Sequence, residues 1–199
     1  MTTQTVTGLY DSYDAATKTV RDLEAANIPH TDISIVAHRS LVTDESNAAT
    51  GAEAGASAGA AIGGGVGLLA GLGILAIPGL GPVVAAGWLA ATAVGAVAGA
   101  AGGGAAGGLI GSLTSAGVSR EHASFYAEGI RRGGALVTAR VDERLVATAE
   151  AIMKRHGRID LTTRERIYRD GGWTQFDENA APYTPADVER ERALYRDAR

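Results

Sequence analysis

The feature that most constrains this chain is a segment without any charged side chain, residues 54–119. In and beside this uncharged segment, a glycine or an alanine recurs at every fourth position in two series. Such spacing places small residues on one helix face and lets two helices approach closely. Each glycine costs a helix about 1 kcal/mol relative to alanine, so close packing has to offset that cost. The two series are Gly51, Gly55, Gly59, Gly63, Gly67 and Gly71, then Gly87, Ala91, Gly95, Gly99, Gly103, Gly107 and Gly111.

A short break rich in proline and glycine separates the two series. It contains Pro78, Gly79, Gly81 and Pro82, residues that end helices and favour turns. We therefore predict that residues 51–112 form an antiparallel helical hairpin, a glycine zipper with its turn at this break. A flexible linker is the alternative, but linkers of that kind are rich in serine and other polar residues, which are scarce here.

Apolar helices of this kind have to be buried in lipid or in protein. As a helix, residues 54–77 would span about 36 Å, against roughly 30 Å for the hydrocarbon core of a bilayer. That length and the uncharged turn favour a hairpin inserted in the inner membrane, with the rest of the chain in the cytoplasm beside Arg120, Arg131 and Arg132. Burial inside a soluble cytoplasmic homo-oligomer is the alternative. Glycines outside the seam gain nothing from lipid, so we expect self-association in either case.

The segments on either side of the hairpin alternate between strand and helix patterns. Strands are predicted at 5–10, 33–38 and 135–141, and a last short one at 159–163. Helices are predicted at 14–26, after Ser119 and after Asp142. Two strand–helix–strand halves predict an α+β fold of the ferredoxin-like, split βαβ type, with the helical hairpin inserted and an extra helix before the third strand.

This pattern divides the chain into four parts. Residues 1–50 are the first half of the α+β domain, 51–112 the hairpin, 113–163 the second half and 164–199 a C-terminal tail. The tail concentrates Trp173, Phe176 and Tyr183 in a sequence with only 5% aromatic residues. We predict that these three side chains dock onto their own domain or a neighbouring subunit. Thr184 and Pro185 predict a short tail helix that continues to Arg196.

Motifs for chemistry are missing from the sequence. The four histidines, His30, His38, His122 and His156, form no metal-binding pair, and the glycine-rich run at 63–67 lacks the Lys-Ser/Thr of a phosphate-binding loop. There is no cysteine, and the net charge of −4 argues against nucleic-acid binding. We therefore predict no enzyme activity, no catalytic residue, no cofactor and no metal. The expected partners are further copies of the chain and, if it inserts, membrane lipid.

Residues 5–162 resemble bacterial general stress proteins of the heat-induced, YflT-like kind, and similar cyanobacterial low-temperature-induced proteins. The resemblance is carried by Thr-Gly-Leu-Tyr-Asp-Ser at 7–12, Leu-Glu-Ala-Ala-Asn-Ile-Pro at 23–29, Asp-Ile-Ser-Ile-Val-Ala at 32–37, and the segment 117–137. It implies induction under stress and membrane association, and it supplies no catalytic residue. The tail after Arg164 lies outside it. A small-molecule-sensing regulatory domain of ferredoxin-like fold is the alternative from another class.

Overall fold

The computed structural model describes residues 3–46, 73–77, 79–92 and 105–197. The strands are β1 (Thr3–Tyr10), β2 (Ile33–His38), β3 (Gly73–Ile77), β4 (Gly81–Gly87) and β5 (Ala135–Asp142). The α-helices are α1 (Tyr13–Ala25), α2 (Arg39–Ser46), α3 (Ala105–Ser115), α4 (Arg120–Arg131), α5 (Val146–Arg155), α6 (Leu161–Asp170) and α7 (Pro185–Asp197). Residues 88–92 are also helical, and short 3-10 turns occupy His30–Asp32 and Glu143–Leu145.

The strands form one sheet in the order β1-β5-β2-β4-β3, and every neighbouring pair is antiparallel. β1 and β2, which α1 connects, therefore run parallel to each other on either side of β5. This arrangement confirms the predicted α+β class. It also leaves β1 and β3 as the two edges of the sheet.

Two hydrophobic clusters cover the two faces of this sheet. α1 and α5 pack on one face, through buried side chains such as Val20 and Met153. α3, α4 and the tail pack on the other, through Leu113, Phe125 and Trp173 among others. All six residues of β2 are buried, as expected for a strand covered on both sides. One layer thus combines α1 from the first half of the chain with α5 from the second, and the other combines α3, α4 and the tail.

Several helix ends follow the local signals of the sequence. Ser12 caps α1 by accepting a hydrogen bond from the Ala15 amide, and Ser119 caps α4 through the His122 amide. After α1, Asn27 adopts the left-handed conformation with φ of 63° that ends many helices. The predicted starts and ends of these helices are confirmed to within a residue or two.

The short strand predicted at 159–163 is wrong. Only Ile159 extends the sheet, by donating its amide to the Leu9 carbonyl at 2.8 Å. The Asp160 carboxylate then accepts the Thr163 amide at 2.8 Å and caps α6. This side-chain cap favours a helix over a strand here, because it satisfies a backbone amide at the start of the helix that would otherwise need a partner in an adjacent strand. The full ferredoxin-like topology is therefore not confirmed, since its fourth strand is replaced by a helix.

The helical hairpin is also wrong within residues 73–87, which form β3 and β4. The turn lies where it was predicted, and Gly79 and Gly81 have φ of 74° and 86° there. β-branched residues crowd around the turn, among them Ile77 and Val83, and they suit a sheet better than a glycine-rich helix. β4 pairs with β2 and β3 pairs with β4, so the tip of the predicted hairpin is part of the domain's own sheet.

Candidate functional site: the tail interface

The three aromatic residues singled out in the tail all lie against the tail's own domain. Trp173 is 7% exposed, and its ring meets those of Phe125 and Tyr168 edge-on, with centroids 6.2 and 6.0 Å apart. The amide of Phe176 donates to the Ser124 hydroxyl at 2.9 Å. Tyr183 lies beneath the guanidinium of Arg131, 5.0 Å from its ring centroid. Of the two surfaces predicted for these residues, the structure therefore shows the intramolecular one.

The tail also packs directly on the turn between β3 and β4. A Cβ added to Gly79 would lie 2.7 Å from the Cα of Glu178, and one added to Gly81 would lie 2.9 Å from the Cβ of Pro182. Glycine is required at these two positions by the close approach of the tail and by positive φ. Two features predicted separately, the hairpin turn and the docking tail, thus form a single interface. Pro82 is the exposed second residue of β4, whereas Pro78 lies outside the described residues.

Buried charge joins the last helix to α4. Glu128 has no exposed surface and accepts hydrogen bonds from both Arg131 and Arg132, at 2.7 and 2.6 Å. Arg132 also donates to Glu191 of α7 at 2.8 Å. Burial alone would lower the pKa of Arg132, but the charges and hydrogen bonds of Glu128 and Glu191 outweigh it and raise the pKa. Arg132 therefore remains charged, and its bond to Glu191 anchors α7 to α4.

A second ion pair fixes α6 to the end of β1. Arg164 is 7% exposed and donates two hydrogen bonds to Asp11, at 2.8 and 2.7 Å. Its guanidinium also lies 3.6 Å from the ring centroid of Tyr195 in α7. Bidentate pairing and ring stacking are the two geometries that favour arginine over lysine. This site could not be recognised in the sequence, because Arg164 is one of many charged residues in a polar helix.

His38 lies at the same interface and is 2% exposed. Its Nδ1 is 2.8 Å from the Ser40 hydroxyl, while its Nε2 has no hydrogen-bond partner among the described residues. That nitrogen faces the turn, because a Cβ on Gly81 would lie 3.8 Å from it. Burial, and then the charge of Arg192, lower the pKa of His38. In the sequence, this histidine belongs to no motif and could not be singled out.

A second polar cluster lies under α4, towards the other end of β2. Thr138 of β5 stands opposite Ser34 of β2, and both are fully buried with hydroxyls that lack a hydrogen-bond partner among the described residues. The indole nitrogen of Trp88 and the Nε of Arg140 are buried and equally without a partner there. Arg140 stacks on Trp88 at 4.9 Å. This sheet-face cluster thus combines two N–H donors with two hydroxyls.

The described members of the glycine series do not form one seam. Gly87 ends β4 with φ of 85°, Ala91 is exposed in the helical segment 88–92, and Gly107 and Gly111 are in α3. A Cβ on Gly111 would meet nothing within 4 Å. The remaining positions of the two series lie outside the described residues: Gly51, Gly55, Gly59, Gly63, Gly67, Gly71, Gly95, Gly99 and Gly103.

Two other kinds of site are absent from the part of the chain that the structure describes. There, no group of three or more His, Asp or Glu side chains is placed to hold a metal ion. Within the same residues, no helix has both the length and the apolar character needed to cross a bilayer.

These observations define an α+β protein whose antiparallel sheet is completed by strands from the uncharged segment and covered by its own C-terminal tail. Residues 5–75 match the family described as the heat induced stress protein YflT domain, which confirms the resemblance over those residues. The match begins within β1, contains α1, β2 and α2, and ends within β3. No curated protein and no solved structure matches the chain.

Proposed function

We propose that the protein is a non-catalytic, stress-associated structural protein that self-associates through its uncharged segment. The association with stress comes from the family match over residues 5–75. The observation that carries the rest is the position of the uncharged segment in the fold. It provides β4, which extends the sheet, and β3, which ends it with an uncharged edge.

Of the two surroundings predicted for the uncharged segment, the packing favours protein. A hairpin that crosses a bilayer needs its tip on the far side. Here the tip is held by β2 on one side and by the tail on the other, at Gly79 and Gly81. We therefore propose that the glycine series outside this tip packs between subunits, and that contact with membrane lipid is secondary.

The absence of catalysis is part of the proposal. The charged groups with the most buried positions, Glu128, Arg132 and Arg164, pair with one another or with Glu191 and Asp11. Such pairs orient helices. A structural role for these groups is also consistent with their distribution over α4, α6 and α7.

Light scattering and native mass spectrometry of the full-length chain, in plain buffer and in detergent, test this proposal. We expect an oligomer in plain buffer. A strictly monomeric chain in both conditions would contradict self-association, and an oligomer that requires detergent would favour the membrane instead. Gly63→Leu and Gly99→Leu should reduce the oligomer, whereas Ala70→Leu should be tolerated better, because a close-packed glycine seam has no room for added volume.

A second candidate function, small-molecule sensing, is favoured by the sheet-face cluster. Its N–H groups on Trp88 and Arg140 are donors, and the hydroxyls of Ser34 and Thr138 can donate or accept. Asp32 already pairs with Arg140 at 2.8 Å, so the cluster suits an uncharged acceptor such as a carbonyl or hydroxyl group better than an anion. A panel of small amides and sugars should raise the melting temperature of the wild-type protein more than that of Thr138→Val. Equal shifts in both proteins would remove this candidate.

A further inference from the structure

The outer edge of β3 is an unusual edge for a sheet. Its five residues, Gly73–Ile77, carry no charge and no proline. Outside the pairing with β4, the backbone of residues 73–76 makes no hydrogen bond to any described residue. Ile74 is 59% exposed, one of two large apolar side chains exposed to that extent among the described residues. Unprotected, uncharged edges are templates for pairing with another strand.

The opposite edge of the sheet, at β1, is covered by another segment of the chain and so differs from the edge at β3. Along β1, the Leu9 carbonyl accepts the Ile159 amide, and the Thr7 carbonyl accepts from the Arg158 guanidinium at 3.5 Å. These two carbonyls are two residues apart and so point to the same, outer side of the strand. The chain therefore covers β1 with the segment before α6, and offers no equivalent cover to β3 from its described residues.

We propose that β3 pairs with β3 of a second copy of the chain, antiparallel and across a two-fold axis at Leu75. The strand is complementary to itself in this register, because each small residue outside the axis faces a large one. The pairs are Gly73 opposite the partner's Ile77, Ile74 opposite the partner's Ala76, and Leu75 opposite the partner's Leu75. The exposed Ile74 would thereby gain a neighbour, and no like charges would meet. The result is one continuous ten-stranded sheet, a closed dimer of the common two-fold kind.

This inference rests on the proposed self-association, and a pair of variants separates the two. Ile74→Lys places a charge on the pairing edge at an exposed position, where it should not disturb folding. Leu194→Lys is the matched control, because Leu194 is 58% exposed but lies on α7. By light scattering, we expect the oligomer of Ile74→Lys to have half the molar mass of the wild-type oligomer. Leu194→Lys should have the wild-type mass.

The outcomes distinguish the pairing from self-association in general. If Ile74→Lys keeps the full wild-type mass, the edge pairing is wrong while self-association through the glycine series stands. If the wild-type chain is monomeric, both are wrong. Circular dichroism of each variant is the control that tests whether the fold is retained.

Single cysteines test the register, and the chain has no cysteine of its own to interfere. Across the two-fold axis, residue 75 lies opposite its own copy, with the Cα atoms about 4.5–5.5 Å apart, which a disulfide can bridge. Residue 74 is offset from its copy by two residues, or about 8 Å, which a disulfide cannot bridge. Under mild oxidation, Leu75→Cys should therefore form a covalent dimer and Ile74→Cys should not. Equal cross-linking of the two variants, or none at position 75 in an intact oligomer, would overturn the register.

Discussion

Pro182 of the tail lies against the backbone of Gly81, the first residue of β4, so closely that a Cβ on Gly81 would come within 2.9 Å of the proline Cβ. The contact joins the two least conventional parts of the sequence, the uncharged segment and the aromatic tail. The tail therefore packs against the turn between β3 and β4 and helps to hold both strands on the sheet. The contribution of the tail interface to the free energy of unfolding can be measured separately at a glycine, at an aromatic residue and at a charged residue.

Gly133→Ala should weaken the packing of α7 on the domain. Gly133 has φ of 92°, and an added Cβ would overlap the side chain of Val188 in α7. Gly172→Ala is the control, since Gly172 has φ of 86° but nothing within 4 Å of the added atom. Both changes carry the left-handed backbone cost of about 1–2 kcal/mol. Only Gly133→Ala should lose a further 1–3 kcal/mol, roughly, from overpacking, in denaturant unfolding. Equal losses would mean that α7 adjusts freely.

Trp173→Ala should destabilise the protein by about 3–5 kcal/mol, the usual cost of removing a large buried ring. The ring contacts Phe125 and Tyr168 and is 7% exposed. Leu194→Ala, at an exposed position of the same tail, should cost less than about 0.5 kcal/mol. Limited proteolysis should also cut the Trp173→Ala tail faster than the wild-type tail. A small loss for Trp173→Ala would show that the tail contributes little to the fold.

Glu128→Gln should be far more destabilising than loss of a surface pair. Glu128 is fully buried between Arg131 and Arg132, so its neutralisation leaves two partly buried guanidinium groups with less compensation. Removing one partner of a buried pair costs about 3–5 kcal/mol. Asp14→Asn, which breaks the exposed pair with Lys18, should cost much less, because water screens that pair. Similar losses at the two sites, measured by urea unfolding, would contradict a buried role for Glu128.

Much of this fold can be predicted from the sequence, because the signals for β1, α1, β2, α4, β5 and α7 are local. Ser12, Ser119 and Thr184 cap their helices through hydrogen bonds to residues three positions away. The strands β3 and β4 could not be predicted in this way. The four-residue spacing of the glycines and alanines around them favours a helix. The pairing of β4 with β2 also depends on a partner strand about fifty residues earlier in the chain. Tertiary pairing overrode the local pattern there.

The tail interface was predictable only in outline. The aromatic residues Trp173, Phe176 and Tyr183 stood out because the rest of the sequence has so few. Their charged partners did not, since Arg132, Arg164 and Glu191 belong to polar helices with many similar residues. A buried ion pair between elements far apart in sequence leaves no periodic trace, so only the folded structure identifies it.

The pH dependence of stability should be reduced in His38→Gln. In the folded state, burial and then the charge of Arg192 lower the pKa of His38 below its ordinary value of 6.5. The unfolded chain therefore takes up this proton at a higher pH than the folded chain. Stability is fully present above about pH 6.5 and is lost as the pH falls towards the folded pKa, by about 1.4 kcal/mol per unit of pKa difference.

The measurement is the free energy of unfolding between about pH 7.5 and about pH 5, where an ordinary histidine titrates. Wild type should lose more stability over this range than His38→Gln does. Identical slopes for wild type and His38→Gln would show that the ring is protonated as easily in the folded state as in the unfolded state.

Thr138→Val should leave stability unchanged or raise it by up to about 1 kcal/mol. The Thr138 hydroxyl is fully buried and has no hydrogen-bond partner among the described residues, so its replacement by a methyl of the same shape removes a desolvation cost. Thr7→Val is the matched change on the neighbouring strand, directly opposite Thr138. The Thr7 hydroxyl is 2.6 Å from the Tyr126 hydroxyl, so this variant should lose about 1 kcal/mol. If Thr138→Val instead costs as much as Thr7→Val, the hydroxyl has a partner in solution, either ordered water or a ligand. Repeating the measurement with the amides and sugars that shift the melting temperature would then distinguish a ligand from water.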